Sequence, residues 1–329
     1  MKTVDKVVWG VIGAGSVCEV KSVPGMYKVA HSEVKTVMRR NAEKGADFVR
    51  RHRIPHSTTN ADDIFNDPDI NIVYIGTPPD THCEYTLKAA AAGKAVYVEK
   101  PMANSDEECS EMIKACKEAN VPLFVAYYRR ALPGFNTLRE IIRSGKIGDV
   151  RFAEIEMWRA PRSYDLDPEG NWRVFPEISG GGHFHDLASH QLDYLDSLFG
   201  PIIDAKGFGF NQGGLYPADD LVTGSFLFEN GVAGAGMWCF TTDKSSEKEI
   251  ITILGSKGHL VFNTFGSPMQ IHITTSAVTE LLETEHPEHI QQPLIQTIVD
   301  ELRGIGTCPS TGITGARTTR AMLKITDKK

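Results

Sequence analysis

The sequence predicts an α/β region followed by an α+β region: a doubly wound parallel sheet over residues 1–126, then a second domain over 127–329 built on an antiparallel sheet. Three observations carry this. Short, near-continuous apolar runs alternate with amphipathic stretches over 1–126, as expected of parallel strands buried on both faces. The first run, Val7–Ile12, ends in Gly13-Ala14-Gly15. From about 202 to 274, strand-like runs follow one another across turns with no helix between them. A chain of 329 residues is also too long for one typical domain.

The elements follow in order. Residues 16–29 read as a helix interrupted at Pro24 and Gly25. Val34–Met38 is the second strand, 42–53 and Ala61–Phe65 are helical, and Ile70–Gly76 is the third strand, running into the turn Thr77-Pro78-Pro79. A helix over 82–92 leads to the strand Ala95–Glu99. Ser105-Asp106-Glu107-Glu108 is a capping box, opening a helix with Cys109, Met112, Ile113 and Cys116 on its core face. Val121–Ala126 is the fifth strand. A helix near 133–144 and the strand Val150–Trp158 precede an aperiodic segment, 159–182; loops that long in compact domains tend to be functional. Asp186–Phe199 reads as a helix. Strands are expected at Leu221–Phe228, Gly231–Phe240, Glu249–Gly255 and His259–Asn263, and helices near 290–303 and 314–325. Gly224, Gly234 and Gly236 suggest a sheet face that packs closely on another subunit.

Bulk properties narrow the function. A net charge of −7 argues against a nucleic-acid partner, which demands clustered Lys and Arg. Six scattered cysteines without a C-x-x-C pair suit reduced thiols and a cytoplasmic location. The charged N-terminus lacks a signal-peptide layout, and no run of about 18 apolar residues appears, so no membrane partner is expected.

The glycine turn is the first chemical feature. Gly13 permits a tight turn, and Gly15 lets backbone N–H groups, with Ser16 and Val17 next in the chain, approach a pyrophosphate. Cys18 stands at the third position of G-x-G-x-x-G/A. About 20 residues on, an NAD site usually offers an acid to the ribose. Here the strand ends Met38-Arg39-Arg40. Two guanidiniums suit a 2′-phosphate, which favours NADP(H) and leaves NAD(H) as the alternative.

Three residues stand out as reactive groups. Lys100 follows a parallel strand directly, at the sheet edge where ligands bind. Asp186 and His190, spaced i, i+4, share a helix face just after Gly180-Gly181-Gly182, whose missing side chains leave room for a ligand. Singly, each has a structural reading: a solvated lysine, a helix cap and a hydrogen-bonding histidine. Tyr128, Arg129 and Arg130 lie at the same sheet edge; the arginines either bind substrate oxygens or pair with the acidic surface. Trp172 and Arg173 suit a sugar-stacking wall or, for the tryptophan, a core position. His183 and His185 flank Phe184, but no third or fourth ligand is evident, so no metal is expected and one of the pair, His185, is a candidate substrate contact.

Glu99-Lys100-Pro101, the glycine turn, Thr77-Pro78 with His82, Trp172-Arg173, and Gly180-Gly181-Gly182 followed by Asp186, His190 and Asp193 resemble the glucose–fructose oxidoreductase/inositol dehydrogenase (Gfo/Idh/MocA) family. The resemblance runs from Val7 to at least Phe199. It implies a Rossmann domain, then a domain with a large, open antiparallel sheet and C-terminal helices that pack back on the first domain. It implies hydride transfer between NAD(P) and a sugar, polyol or cyclitol, with Lys100, Asp186 and His190 as the catalytic set. It further implies that Thr77, Pro78, His82 and Glu99 lie at the cofactor, that Lys100–Pro101 is a cis peptide, and that the protein is a homodimer or homotetramer. Two other readings fit the same residues: a glycosidase that retains its dinucleotide, and a non-catalytic NAD(P)-binding regulator.

Overall fold

The structure, a computed structural model, describes residues 3–167 and 171–327. The described residues form two compact units: the chain through Leu132 with Pro287–Ala316, and Pro133–His286 with the chain from Arg317 onward.

The first unit holds a six-stranded parallel sheet: β1 Val7–Ile12, β2 Ser32–Met38, β3 His56–Thr58, β4 Ile72–Ile75, β5 Ala95–Val98 and β6 Leu123–Val125. Their order is β3-β2-β1-β4-β5-β6, the doubly wound arrangement. β1 pairs with β2 on one side and β4 on the other, so the strand order reverses there. In such sheets ligands bind beyond the strand ends at that reversal. β1, β4, β5 and β6 are buried along almost their whole length, which explains their continuous apolar runs.

Local details differ from expectation. The helix over 16–29 is two helices, Ser16–Val20 and Val23–Lys28, and Pro24 sits in the first turn of the second, where its missing N–H costs nothing. Ser105 accepts from the Glu108 amide at 3.1 Å, but the Glu108 carboxylate reaches back to the amide of Asn104, not of Ser105, at 3.0 Å. The helix Gln292–Leu302 packs on Val23–Lys28, where a Cβ at Gly25 would lie 3.1 Å from the Gln292 Cα.

The second unit holds an eight-stranded sheet: β7 Val150–Trp158, β8 Ile202–Phe210, β9 Leu221–Phe228, β10 Ala233–Cys239, β11 Lys248–Gly255, β12 Gly258–Phe262, β13 Met269–Thr275 and β14 Thr279–Thr284. The order is β14-β13-β12-β11-β7-β10-β9-β8. The expected antiparallel sheet needs one correction: β10 pairs with β7 in parallel while β11 pairs with it antiparallel, and β7 is joined to both by long connections, not hairpins, which leaves either direction open. The inner face carries Ala153, Ile155, Met157, Val222, Trp238, Ile251 and Ile253, all buried. The helices Pro133–Arg143 and Ser189–Phe199 supply aromatic partners: Phe135 meets Tyr194 edge-on at 4.6 Å, and both rings approach Phe262.

The sheet glycines do not serve a second subunit. A Cβ at Gly236 would strike the Trp238 indole, one at Gly234 the Phe226 ring, and one at Gly224 the Ile325 side chain. Their clearance is filled by this chain's own core.

Candidate active site

In the first unit, Gly13 and Gly15 have different jobs. Gly13 has φ +86°, and a Cβ there would lie 2.6 Å from Thr77 Cγ2 and 2.8 Å from the Thr77 amide nitrogen. The turn after β1 and the turn after β4 therefore touch through a glycine that nothing larger can replace. The Gly13 amide donates to the Met38 carbonyl at 3.1 Å, tying in the end of β2. Gly15 is exposed with an ordinary φ of −90°, and a Cβ there would have only the Gly13 carbonyl within reach, at 3.9 Å. Neither conformation nor packing demands glycine at position 15. A backbone left bare toward open space, beside the exposed Ser16 and half-buried Val17 whose amides head the next helix, fits a pyrophosphate.

Cys18, at the third motif position, is fully buried, and its thiol lies 3.7 Å from the Gly13 carbonyl. Burial pushes that thiol up to about 12, so it stays protonated and braces the turn. Arg39 is half-buried and Arg40 exposed just past β2, and among the described residues neither guanidinium forms an ion pair.

Three further segments meet at the same sheet edge. His82 is fully buried, with Nε2 2.9 Å from the Thr77 carbonyl and Nδ1 3.1 and 3.2 Å from the carbonyls of Pro101 and Met102. It joins the Thr77-Pro78 turn to the Lys100 segment, and burial holds its pKa below the usual imidazole value. Glu99 is buried; its Oε1 accepts from Tyr74 Oη at 2.7 Å and Gln291 Nε2 at 2.6 Å, and Gln291 accepts from Tyr97 at 2.8 Å. Glu99 Oε2 accepts from the Lys100 amide at 3.2 Å. This buried network fixes the chain where half-buried Lys100 begins, and Lys100–Pro101 is cis as the resemblance implied. Tyr128, Arg129 and Arg130 are buried. The Arg129 guanidinium stacks on Tyr128 at 5.0 Å, and Arg130 donates to the Pro309 carbonyl at 3.2 Å.

In the second unit, Asp186 lies in a π-helical turn, Phe184–Ala188, that runs directly into Ser189–Phe199 carrying His190. The regular i, i+4 helix is therefore a helix with a widened first turn, a feature often found at functional positions. His190 is 4% exposed and the Asp186 side chain 17%. Arg173 Nε donates to Asp186 Oδ2 at 3.1 Å, while the guanidinium stacks over Trp172 at 4.5 Å. One face of the tryptophan expected to stack on sugar is thus covered by its neighbour.

Two of the three glycines, Gly181 and Gly182, do not leave room for a ligand. A Cβ at Gly181 would collide with the His185 imidazole, and one at Gly182 would lie 2.5 Å from Ala218 Cβ. His185 is buried in that clearance. His183 Nε2 lies 3.0 Å from Asp165 Oδ1. Burial opposes ionisation of Asp165, but His183, the Arg162 amide and Asn171 together hold its carboxyl below the usual range.

Sequence reasoning missed four residues that place His190. Gln191, beside it and fully buried, accepts from Trp238 Nε1 at 2.8 Å and donates to Glu249 Oε1 at 2.9 Å. Glu249 accepts from the Thr264 amide at 2.8 Å and the Phe265 amide at 3.0 Å. Phe265, so held, meets the His190 ring edge-on at 5.9 Å. Arg159 sits on Phe265, its guanidinium 5.2 Å from the ring centre. Asp186, Arg159 and Arg173 together line a cavity of about 390 Å³. Residues 168–170 of the long segment lie outside the described residues.

A doubly wound sheet with a glycine turn after its first strand, followed by a domain of mixed sheet and helices in which a helix and its first turn carry an acid and a histidine, defines a dinucleotide-dependent oxidoreductase. The family models for the NAD-binding Rossmann oxidoreductases and for the matching C-terminal domain cover residues 7–127 and 135–261, and the chain belongs to the Gfo/Idh/MocA family. It is 40% identical to an oxidoreductase of Formosa agariphila over 90% of both chains. It is 31% identical to a 1,5-anhydro-D-fructose reductase of Ensifer adhaerens over 77% of this chain and 74% of that one. A levoglucosan dehydrogenase solved with NADH superposes with a TM-score of 0.81 at 25% identity, covering 97% and 96% of the two chains. An aldose–aldose oxidoreductase of Caulobacter crescentus, at 22% identity and TM-score 0.86 over 97% and 96%, shares the fold.

Proposed function

We propose that this oxidoreductase exchanges a hydride between NADP(H) and a hydroxyl-bearing or carbonyl carbon of a sugar, polyol or cyclitol, with Lys100, Asp186 and His190 as the catalytic residues. The observation that carries the reading is the pair of Asp186, lining an open cavity under the hand of Arg173, and His190 four residues on, held by its buried neighbours. The anhydrofructose reductase and the levoglucosan dehydrogenase support the substrate class.

When bound, the nicotinamide supplies or accepts the hydride. His190 takes the substrate hydroxyl proton on oxidation and returns it on reduction, imidazole being the side chain best suited to exchanging a proton near neutral pH. The Lys100 ammonium stabilises the charge that develops on the substrate oxygen. Asp186 accepts a hydrogen bond from a substrate hydroxyl and fixes its orientation. Gly15, Ser16 and Val17 would hold the pyrophosphate on the turn that Gly13 closes, and Thr77, Pro78, His82 and Glu99 would shape the nicotinamide side.

NADP(H) is favoured over NAD(H) because Arg39 and Arg40 stand where a ribose-binding acid would, and their guanidiniums match a phosphate. The outer face of the second sheet carries exposed Phe208, Phe210, Leu227 and Met237, which supports a homodimer or homotetramer through that face. Six free thiols support a cytoplasmic protein; among the described residues no helix is long and apolar enough to cross a membrane.

The test is calorimetric titration with NADPH and NADH, followed by a sugar and polyol panel read by nicotinamide absorbance. NADPH is expected to bind at least about tenfold more tightly, a difference one phosphate contact can supply. Equal binding would remove the NADP(H) preference. Absence of nicotinamide redox change with every sugar and polyol would contradict the reaction.

A further inference from the structure

The cavity that Asp186 lines is richer in guanidinium than the hydride-transfer reaction requires. Arg159, Arg162 and Arg173 all face it. Arg173 is accounted for by Asp186. The acids around the others are committed elsewhere. Asp165 accepts from the Arg162 amide at 3.0 Å on Oδ2 and from Asn171 at 2.6 Å on Oδ1, with His183 Nε2 also 3.0 Å from Oδ1. Glu249 and Glu247 act on Arg159 from a distance, as does Asp186, and both glutamates are engaged: Glu249 by the amides of Thr264 and Phe265 and by Gln191, and Glu247 by the Ala160 amide at 3.1 Å. Among the described residues, neither the Arg159 nor the Arg162 guanidinium makes a hydrogen bond or an ion pair; Arg159 has only the face of Phe265 beneath it.

Arg162 is exposed and its solvation explains itself. Arg159 is half-buried, and taking a guanidinium out of water without an acceptor is costly. Burial indeed works against its charge. A hydrophobic or amide side chain would pack on Phe265 without that cost. The stack instead holds the planar fork in one orientation at the cavity wall, on the ring that also meets His190.

We propose that the substrate is a sugar bearing an anionic substituent, a carboxylate or a phosphate ester, and that Arg159, with Arg162 at the rim, binds that anion in the cavity lined by Asp186. This rests on the proposed sugar reaction and names its substrate class. Two guanidiniums offer the paired donors that either anion accepts. Phe265 ties this subsite to His190, so the anion's distance from the reacting carbon is set by a fixed ring.

The experiment measures binding of D-glucuronate, D-glucose 6-phosphate and D-glucose to the NADP(H)-saturated protein by calorimetry, on wild type, Arg159→Gln and Arg162→Gln. One of the two anionic sugars is expected to bind at least about tenfold more tightly than D-glucose, as one or two charge-assisted hydrogen bonds supply. Which of the two does so distinguishes carboxylate from phosphate ester. Arg159→Gln is expected to abolish the preference and Arg162→Gln to reduce it severalfold, with unfolding temperature and NADP(H) affinity reporting an intact fold. Equal binding of charged and neutral sugars by wild type, or a preference that survives Arg159→Gln, would overturn the proposal. Because binding is read without turnover, an anion preference accompanied by no redox change with any sugar would sink the hydride-transfer reading alone. Turnover of neutral sugars with no anion preference would sink this one alone.

Discussion

Arg173 Nε donates to Asp186 Oδ2 at 3.1 Å, from a side chain that lies flat on Trp172. The long aperiodic segment and the π-turn are thereby joined at the acid assigned to the substrate hydroxyl. Under the proposed reaction, Arg173 acts through Asp186 as a positioning residue. Arg173→Gln is expected to lower kcat about tenfold to a hundredfold, the scale of losing one charged hydrogen bond. Arg173→Lys keeps a cationic donor beside the carboxylate and should restore most of that activity. An equal loss in Arg173→Lys and Arg173→Gln would mean Arg173 supports the loop and not the carboxylate.

Gly13 and Gly15 should separate folding from binding. Gly13→Ala places a methyl group against Thr77 in a left-handed backbone and should destabilise the protein by about 1–3 kcal/mol, or more where the turn cannot shift. Gly15→Ala adds a methyl group in open space at an unstrained φ, so its unfolding temperature should stay at the wild-type value. Its NADPH affinity should fall by about tenfold or more, because the methyl occupies the approach to the backbone amides. Undiminished NADPH binding by Gly15→Ala would place the pyrophosphate elsewhere.

The first unit was readable because parallel strands are buried on both faces and announce themselves as apolar runs. β3 escaped: His56-Ser57-Thr58 is three polar residues at a sheet edge, paired through backbone bonds that side chains do not report. In the second unit, Leu221–Phe228 and Val150–Trp158 agree with their expected ranges, while the strands β8 and β14 flank the sheet with little apolar contrast. Asp186 and His190 were visible through spacing. Arg159, Gln191, Glu249 and Phe265 were not, since single residues so far apart share no local pattern and meet only through the packed helix and sheet. The glycine triplet misled for a related reason. A missing side chain marks clearance but not its occupant, and here the occupant is His185.

Acid should act on a surface cluster in the first unit. Arg51 bonds both Glu19 oxygens at 2.7 Å, and His52 Nε2 lies 3.0 Å from Glu19 Oε2. Arg51 above all holds the Glu19 carboxyl at about 2, against an ordinary value of 4.5. A carboxyl depressed in the folded state contributes stability that is present above its unfolded value and lost as pH falls through the folded one. Glu19→Gln should therefore flatten part of the loss of stability between about pH 4.5 and pH 2, seen in chemical unfolding at stepped pH. An acid limb identical to wild type would show that the cluster contributes nothing net in water.

The central claim is that His190 carries the proton as the hydride moves. Turnover of His190→Ala with the best sugar found in the panel measures it most directly, beside NADPH affinity on the same preparation. The account predicts kcat lower by about 10² to 10⁴, the usual share of a general acid–base, with cofactor affinity unchanged. Wild-type turnover in that variant would contradict it.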